Sequence, residues 1–218
     1  MEFSFTDLID FVIHIDKHLE TFISTYGTLV YLLLFLIVFC ETGLVVMPFL
    51  PGDSLLFAAG ALAANPANNL NIGLIMILLI MAALAGDNTN YFIGKFLAKK
   101  GEGAKLFGIF TIRKDYLDKT HAFYEKNGAR TIIIARFIPI VRTFAPFVAG
   151  VGSMTYSRYI IYCITGAVLW VGMLSLAGYF FGGFDIVKNN FETVVFAIIL
   201  ISLLPILVEV IKHRLKKN

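Results

Sequence analysis

The amino-acid sequence predicts an all-α, polytopic membrane protein: an inverted repeat in which two opposed re-entrant helical hairpins sit among full transmembrane helices. Three observations lead to that reading. Apolar residues make up 58% of the 218-residue chain and charged residues 15%, against roughly a quarter charged in soluble domains. Uncharged runs at Thr21–Cys40, Ser54–Gly86 and Tyr159–Phe184 each reach the length of about 20 residues that spans hydrocarbon. Two apolar stretches are also interrupted by proline and glycine beside ionisable residues, a combination that a plain membrane helix has no use for.

Residues 1–25 come first. Phe3, Leu8, Phe11, Val12, Ile15, Leu19, Phe22 and Ile23 fall near helical spacing with acids and histidines between them. This suits an amphipathic helix on the membrane surface or packed on the bundle. Its acids (Glu2, Asp7, Asp10, Asp16 and Glu20) are the opposite of the basic region that opens a cleavable signal. His14 and His18, four apart with Asp10 a turn earlier, share a face. With no further ligand group they read as polar-face residues, and neither a metal site nor a cofactor is expected.

The membrane domain is expected over 26–212. Thr28–Met47 crosses the bilayer and runs into ETGLVVMPFLPGDSLLFAAG (Glu41–Gly60). Pro48 and Pro51 should break the helix at membrane depth, with Gly52 at the turn. Asp53–Ala64 is then only about 18 Å long as a helix, too short to span. It should return to the surface it left, so that residues 41–64 form a re-entrant hairpin. Broken backbone at that depth must be buried in protein or line a wet cavity. The carboxylates of Glu41 and Asp53 mark a functional site; the alternative is a kinked helix whose acids reach the interface. The loop NPANNLN (Asn65–Asn71) is uncharged and turn-rich, and Ile72–Phe96 crosses next, carrying Gly86 and Asp87.

Residues 95–130 form the only long polar connection, in which nine lysines and arginines outnumber Glu102, Asp115, Asp118 and Glu125. The tail at 213–218 is basic as well. The positive-inside rule puts both in the cytoplasm, so the chain between them crosses an even number of times. Thr131–Gly152, interrupted by Pro139 and Pro146 and carrying Gly150, is read as the second re-entrant hairpin. Tyr159–Gly183 and Thr193–Ile211 supply the two crossings, which places the N-terminus inside too. The net charge of +3 is small and unevenly placed, so nucleic acid is not an expected partner. Cys40 and Cys163 lie in apolar text and read as packing residues.

The halves echo each other. VMPFLP (Val46–Pro51) resembles FIPIVR (Phe137–Arg142), AAG (Ala58–Gly60) resembles VAG (Val148–Gly150), and NYFIGK (Asn90–Lys95) resembles GYFFGG (Gly178–Gly183). Chance likeness of apolar text is the alternative. Paired, interrupted segments at corresponding positions otherwise point to a transporter site near the midplane.

That site would gather Glu41, Asp53 and Asp87 with Arg136 and Arg142. Facing opposite charges neutralise each other, the usual condition for ions at this depth. Three acids against two arginines leave one negative charge, best removed by a proton on a carboxylate. Arginine offers a planar fork suited to phosphate oxygens. Proton-linked handling of an anionic, phosphate-bearing substrate follows, with a purely structural salt-bridge lattice as the alternative. Among function classes, a lipid translocase leads and a proton-coupled transporter of small ions or solutes comes second. A structural organiser without transport activity is also possible on these residues. An enzyme is not expected: His14, His18, His121 and His213 lie in peripheral segments, away from any nucleophile constellation at membrane depth.

Three long motifs, ETGLVVMPFLPGDSLLFAAGALA (Glu41–Ala63), GDNTNYFIGK (Gly86–Lys95) and ARFIPIVRTFAPFVAGVGSMTY (Ala135–Tyr156), give the chain a resemblance to the DedA family. The shared region of that family is also called the VTT or SNARE-associated Golgi protein domain, and the resemblance runs from about Tyr26 to Lys212. It implies a multi-pass protein of the bacterial inner membrane that supports envelope homeostasis and depends on the proton gradient. It further implies movement of lipids between leaflets, with undecaprenyl phosphate or phospholipids such as phosphatidylethanolamine as substrates. The acids such proteins require match Glu41 and Asp53, and the arginines match Arg136 and Arg142.

Overall fold

The computed structural model describes residues 15–43, 52–100, 105–106, 110–111, 128–152 and 154–185, with parts of 187–200. Pro48, Pro51, residues 1–14, most of the basic connection and the tail lie outside the described residues. What is described is helical apart from a two-residue antiparallel ladder, β1 (Lys105–Leu106) with β2 (Phe110–Thr111), in which Lys105 faces Thr111.

Three helical runs, His18–Gly43, Ile72–Lys100 and Tyr156–Phe181, are long and apolar enough to cross a membrane. The protein is therefore a multi-pass membrane protein. Of the expected fourth crossing, residues 193–198 are helical and 201–211 fall outside the described residues.

The first run begins in α1 (Ile15–Tyr26), which buries Leu19 and Ile23 one turn apart, the amphipathic spacing read above. A 3-10 turn at Gly27–Leu29 then leads into α2 (Val30–Gly43). The amphipathic segment and the first span are thus parts of one helical run. Helix α3 (Gly52–Ala64) is about 20 Å long, short of a full crossing.

The asparagine-rich loop works as a cap at both ends. Asn65 Oδ1 accepts from the Ala67 N–H at 3.1 Å, and Asn68 Nδ2 donates to the Leu62 carbonyl at 2.9 Å. Asn69 takes the left-handed conformation at φ 49°, which asparagine tolerates better than most residues. Asn71 Oδ1 accepts from the Leu74 N–H at 3.0 Å and so caps α4 (Ile72–Lys100), while its own N–H donates to the Tyr31 hydroxyl at 2.8 Å. Helix α4 is about 43 Å long and ends on Lys99 and Lys100, which suits both the helix dipole and the membrane surface.

The second broken segment consists of α5 (Arg130–Ala135), a turn at residues 136–138, and α6 (Pro139–Val151). Its break falls ahead of Pro139. Ile138 is extended, the conformation a following proline imposes, and Pro139 opens α6 where a missing N–H costs nothing. Pro146 does not interrupt the chain as expected: it is buried inside α6, which continues to Val151. One lost backbone bond in a packed helix is tolerated when neighbouring groups re-satisfy the backbone. Helix α7 (Tyr156–Phe181) follows.

The chain resolves into two compact units. One takes in Met1–Ile37, Phe49–Leu79 and Val171–Asn218; the other takes in Val38–Pro48 and Ile80–Trp170. Each contains the same close helix contact. In the first, a Cβ on Gly60 would overlap the Ser175 carbonyl and come within 3.0 Å of the Tyr179 nitrogen. A Cβ on Gly178 would likewise overlap the Phe57 carbonyl and lie 3.1 Å from the Ala61 nitrogen. In the second, Gly150 meets the Tyr91 carbonyl and Lys95 nitrogen, and Gly94 meets the Phe147 carbonyl and Val151 nitrogen, in the same way. Only glycine lets two backbones approach this closely. The matching contacts pair Gly60 with Gly150 and Gly178 with Gly94. The sequence echo sets Gly94 against Gly182 instead, one helical turn further on.

The core of the second unit is Tyr91, Ile132, Ala149, Tyr159 and Cys163. The Tyr91 and Tyr159 rings stack at 4.3 Å and 16°.

Candidate functional site

The site lies in the unit formed by Val38–Pro48 and Ile80–Trp170, and α4 organises it. Asp87, Asn90 and Tyr91 fall at i, i+3 and i+4, hence on one helix face. All three are buried, Asp87 to 1% exposure. Gly86 gives this face room: a Cβ there would fall 2.8 Å from the Gly43 nitrogen and 2.9 Å from Thr42 Cβ, so the end of α2 packs directly on the α4 backbone.

Two buried acid–arginine pairs follow. Arg136, in the turn before α6, donates from Nη1 to Asp87 Oδ2, and Arg142, in the first turn of α6, donates from Nη2 to Glu41 Oε1 in the last turn of α2. Cys163 Sγ donates to the same Asp87 oxygen at 3.2 Å. Asn90 joins α2 and α6 at their main chain. Its Nδ2 donates to the Thr42 carbonyl at 2.6 Å and reaches the Thr143 carbonyl at 3.4 Å. Thr42 follows Glu41 and Thr143 follows Arg142, so one side-chain amide fixes the backbone next to both members of the second pair. The indole of Trp170 lies beside both cations, with its centroid 5.2 Å from Arg136 Cζ and 4.7 Å from Arg142 Cζ.

The hydrogen bonding of the first pair is incomplete. Arg136 Nε and Nη2 and Asp87 Oδ1 are buried without a hydrogen-bond partner among the described residues. Nε and Nη2 are the two in-plane donors along one edge of the guanidinium. That edge matches two oxygens of a carboxylate or phosphate.

Four of the expected site residues, Glu41, Asp87, Arg136 and Arg142, are thus brought together as two pairs. Asp53 belongs to the other unit, half-buried in the first turn of α3, where a helix N-terminus favours a negative charge. Gly52 is buried at the start of that helix. Gly150 makes the close contact with α4, Pro139 opens α6, and Pro146 sits within it. Sequence reasoning missed Asn90, Trp170 and the hydrogen bond from Cys163. The signals were present but weak: an amide three residues after Asp87 in the polar stretch DNTN between apolar segments, and the only tryptophan of the chain.

Buried acid–arginine pairs beside a helix break at residues 136–138, set among apolar spans, define a polytopic membrane protein with a charged interior site. The chain belongs to the VTT-domain family, the DedA family: the VTT domain matches residues 50–180, a range that holds Asp87, Arg136 and Arg142. Over 210 residues it is 52% identical to Protein DedA of Escherichia coli (strain K12), covering 95% of this chain and 94% of that protein. An uncharacterized membrane protein of Mycobacterium tuberculosis (strain ATCC 25618 / H37Rv) is 42% identical over 199 residues, 89% of this chain and 85% of its own length. Inner membrane protein YqjA of Escherichia coli (strain K12) is 32% identical over 154 residues, 71% of this chain and 68% of its own. No solved structure matches the chain.

Proposed function

We propose that the protein is a proton-dependent translocase for a phosphate-bearing membrane lipid, such as undecaprenyl phosphate or a phospholipid, serving envelope homeostasis. One observation carries this reading: a buried arginine that spends one nitrogen on Asp87 and leaves the Nε–Nη2 edge without a hydrogen-bond partner among the described residues. A buried donor left unsatisfied costs about 1–3 kcal/mol, and an oxyanion at that edge removes the penalty. The headgroup would pass along the polar interior while the tails stay in the bilayer. The acids Glu41, Asp53 and Asp87 would carry the coupling proton, since lowering the negative charge of the site eases entry of an anion. Chemistry on the substrate is not part of this reading.

We place the protein in the bacterial inner membrane, as the name of the relative YqjA places that protein. Both termini would be cytoplasmic, and the segments at about 41–64 and 131–152 would be opposed re-entrant hairpins. The same unsatisfied atoms also suit a small anion, so a proton-coupled ion or solute transporter is the second reading. Proteoliposomes loaded with fluorescent undecaprenyl phosphate or phospholipid analogues separate the two. Lipid movement that follows an imposed pH gradient and falls in Arg136→Lys is expected. Ion flux with no lipid movement would establish the second reading in its place.

A further inference from the structure

We infer that Trp170 is a positioning residue for anion recognition: its indole lies against the guanidinium groups of Arg136 and Arg142 and holds that of Arg136 oriented while leaving its in-plane Nε and Nη2 donors open. This rests on the phosphate reading above and names a further residue on which that site depends. Both guanidinium carbons lie within 5.2 Å of the one indole centroid, inside the range of a cation–π attraction, and tryptophan is the strongest aromatic partner for it.

The two kinds of arginine partner act in different directions. A carboxylate meets a guanidinium in its plane and occupies N–H donors, as Asp87 does with Arg136 Nη1. An aromatic face meets it through the π-cloud and occupies none. A buried arginine held only by carboxylates would have its donors consumed by them, and an arriving phosphate would have to displace a partner. Held partly by an aromatic ring, it stays charged in a low-dielectric setting and still presents an edge. Arg136 shows that state, with Trp170 at 5.2 Å and Nε and Nη2 lacking hydrogen-bond partners among the described residues.

Packing supports the same assignment. Trp170 is 2% exposed, and Arg136 and Arg142 are 5% and 8% exposed. The Arg136 stem is itself confined, because a Cβ added at Gly166, one turn before Trp170 on α7, would lie 3.3 Å from Arg136 Cδ. Helix α7 therefore contributes a small residue and a large one at adjacent turns: Gly166 admits the arginine stem and Trp170 receives its head.

Because the chain contains a single tryptophan, biosynthetic replacement by mono-, di- and trifluorinated tryptophan changes this position alone. Fluorine drains the π-face with little change of shape, so a residue that only fills space does not respond. The full-length protein in nanodiscs is titrated with a short-chain phosphatidic acid and, separately, with inorganic phosphate, while thermal stability is followed in parallel. The expected result is a stepwise loss of affinity with each fluorine, on the order of ten-fold across the series, at unchanged stability, and a fluorine NMR signal that shifts on ligand addition. Trp170→Phe should fall between wild type and Trp170→Leu.

A response to the lipid alone assigns the site to headgroups; an equal response to inorganic phosphate assigns it to free anion, and both uphold the role of Trp170. Affinity independent of fluorination, or loss only in variants that also lose stability, overturns the inference and leaves the phosphate reading in place. If the unfluorinated protein binds neither probe, the phosphate reading falls and this inference falls with it.

Discussion

Asn90 donates its side-chain amide to the carbonyl of Thr42 at 2.6 Å, across 48 residues of sequence. The two residues belong to different helices, and the bond fixes the last turn of α2 where Glu41 projects. Asn90→Leu keeps the volume and removes the donor, leaving a buried carbonyl without it. A loss of about 1–3 kcal/mol follows, seen as a lower Tm, with weaker anion binding in the molecules that stay folded. An unchanged Tm would mean that the α2 terminus is held by other contacts.

The pairing of charges makes a second prediction. Asp87 and Arg136 form one pair, and Glu41 and Arg142 the other. Removing one member leaves a buried charge unpaired and should cost about 3–5 kcal/mol. Asp87→Ala with Arg136→Ala should recover much of that loss, and Glu41→Ala with Arg142→Ala likewise. The crossed combination, Asp87→Ala with Arg142→Ala, should not. Thermal stability of the single and double variants measures the coupling. Equal rescue by crossed and matched doubles would show one undivided network.

The close helix contacts make a third. Gly150→Ala and Gly60→Ala each force a methyl group onto a neighbouring backbone carbonyl, and overpacking of this kind costs about 1–3 kcal/mol. Gly183→Ala is the control, because a Cβ there meets nothing within 4 Å. Denaturation in detergent should rank Gly183→Ala near wild type and the other two well below it. Similar losses at Gly60 and Gly150 would mark the two contacts as energetic counterparts.

Orientation makes a fourth. Ala67 precedes α4 and Lys100 ends it, and both are exposed. With the lysine-rich end in the cytoplasm, Lys100→Cys should be labelled only after the membrane is opened, and Ala67→Cys from outside in intact cells. Labelling of both positions from outside would remove the assigned topology.

The spanning segments were legible because they follow a local rule. Hydrocarbon is a solvent that excludes unpaired backbone and charge, so length and composition mark a span without reference to the rest of the chain. The sequence predicts crossings at Ile72–Phe96 and Tyr159–Gly183, and the helices run over Ile72–Lys100 and Tyr156–Phe181. The short helix expected at Asp53–Ala64 runs over Gly52–Ala64. Pro139 was read correctly as a break because the ring acts on its own neighbours. Pro146 was not, since whether a packed helix absorbs one lost bond depends on what surrounds it.

Composition alone shows that Glu41, Asp87, Arg136 and Arg142 lie in or beside apolar segments, where charges must find partners. Which partner each one takes follows from the packing of the helices. Asp87 meets Arg136 across 49 residues and Glu41 meets Arg142 across 101, and a tally of charges is satisfied equally well by other pairings. Apolar text is similarly degenerate about register. One turn more or less leaves the hydrophobic pattern nearly unchanged, so the likeness of the halves was visible while the match of Gly94 with Gly178 was not. Trp170 carries only the weak signal of being the chain's single tryptophan, because one more aromatic residue in a membrane helix is ordinary until packing sets two guanidinium groups beside its ring.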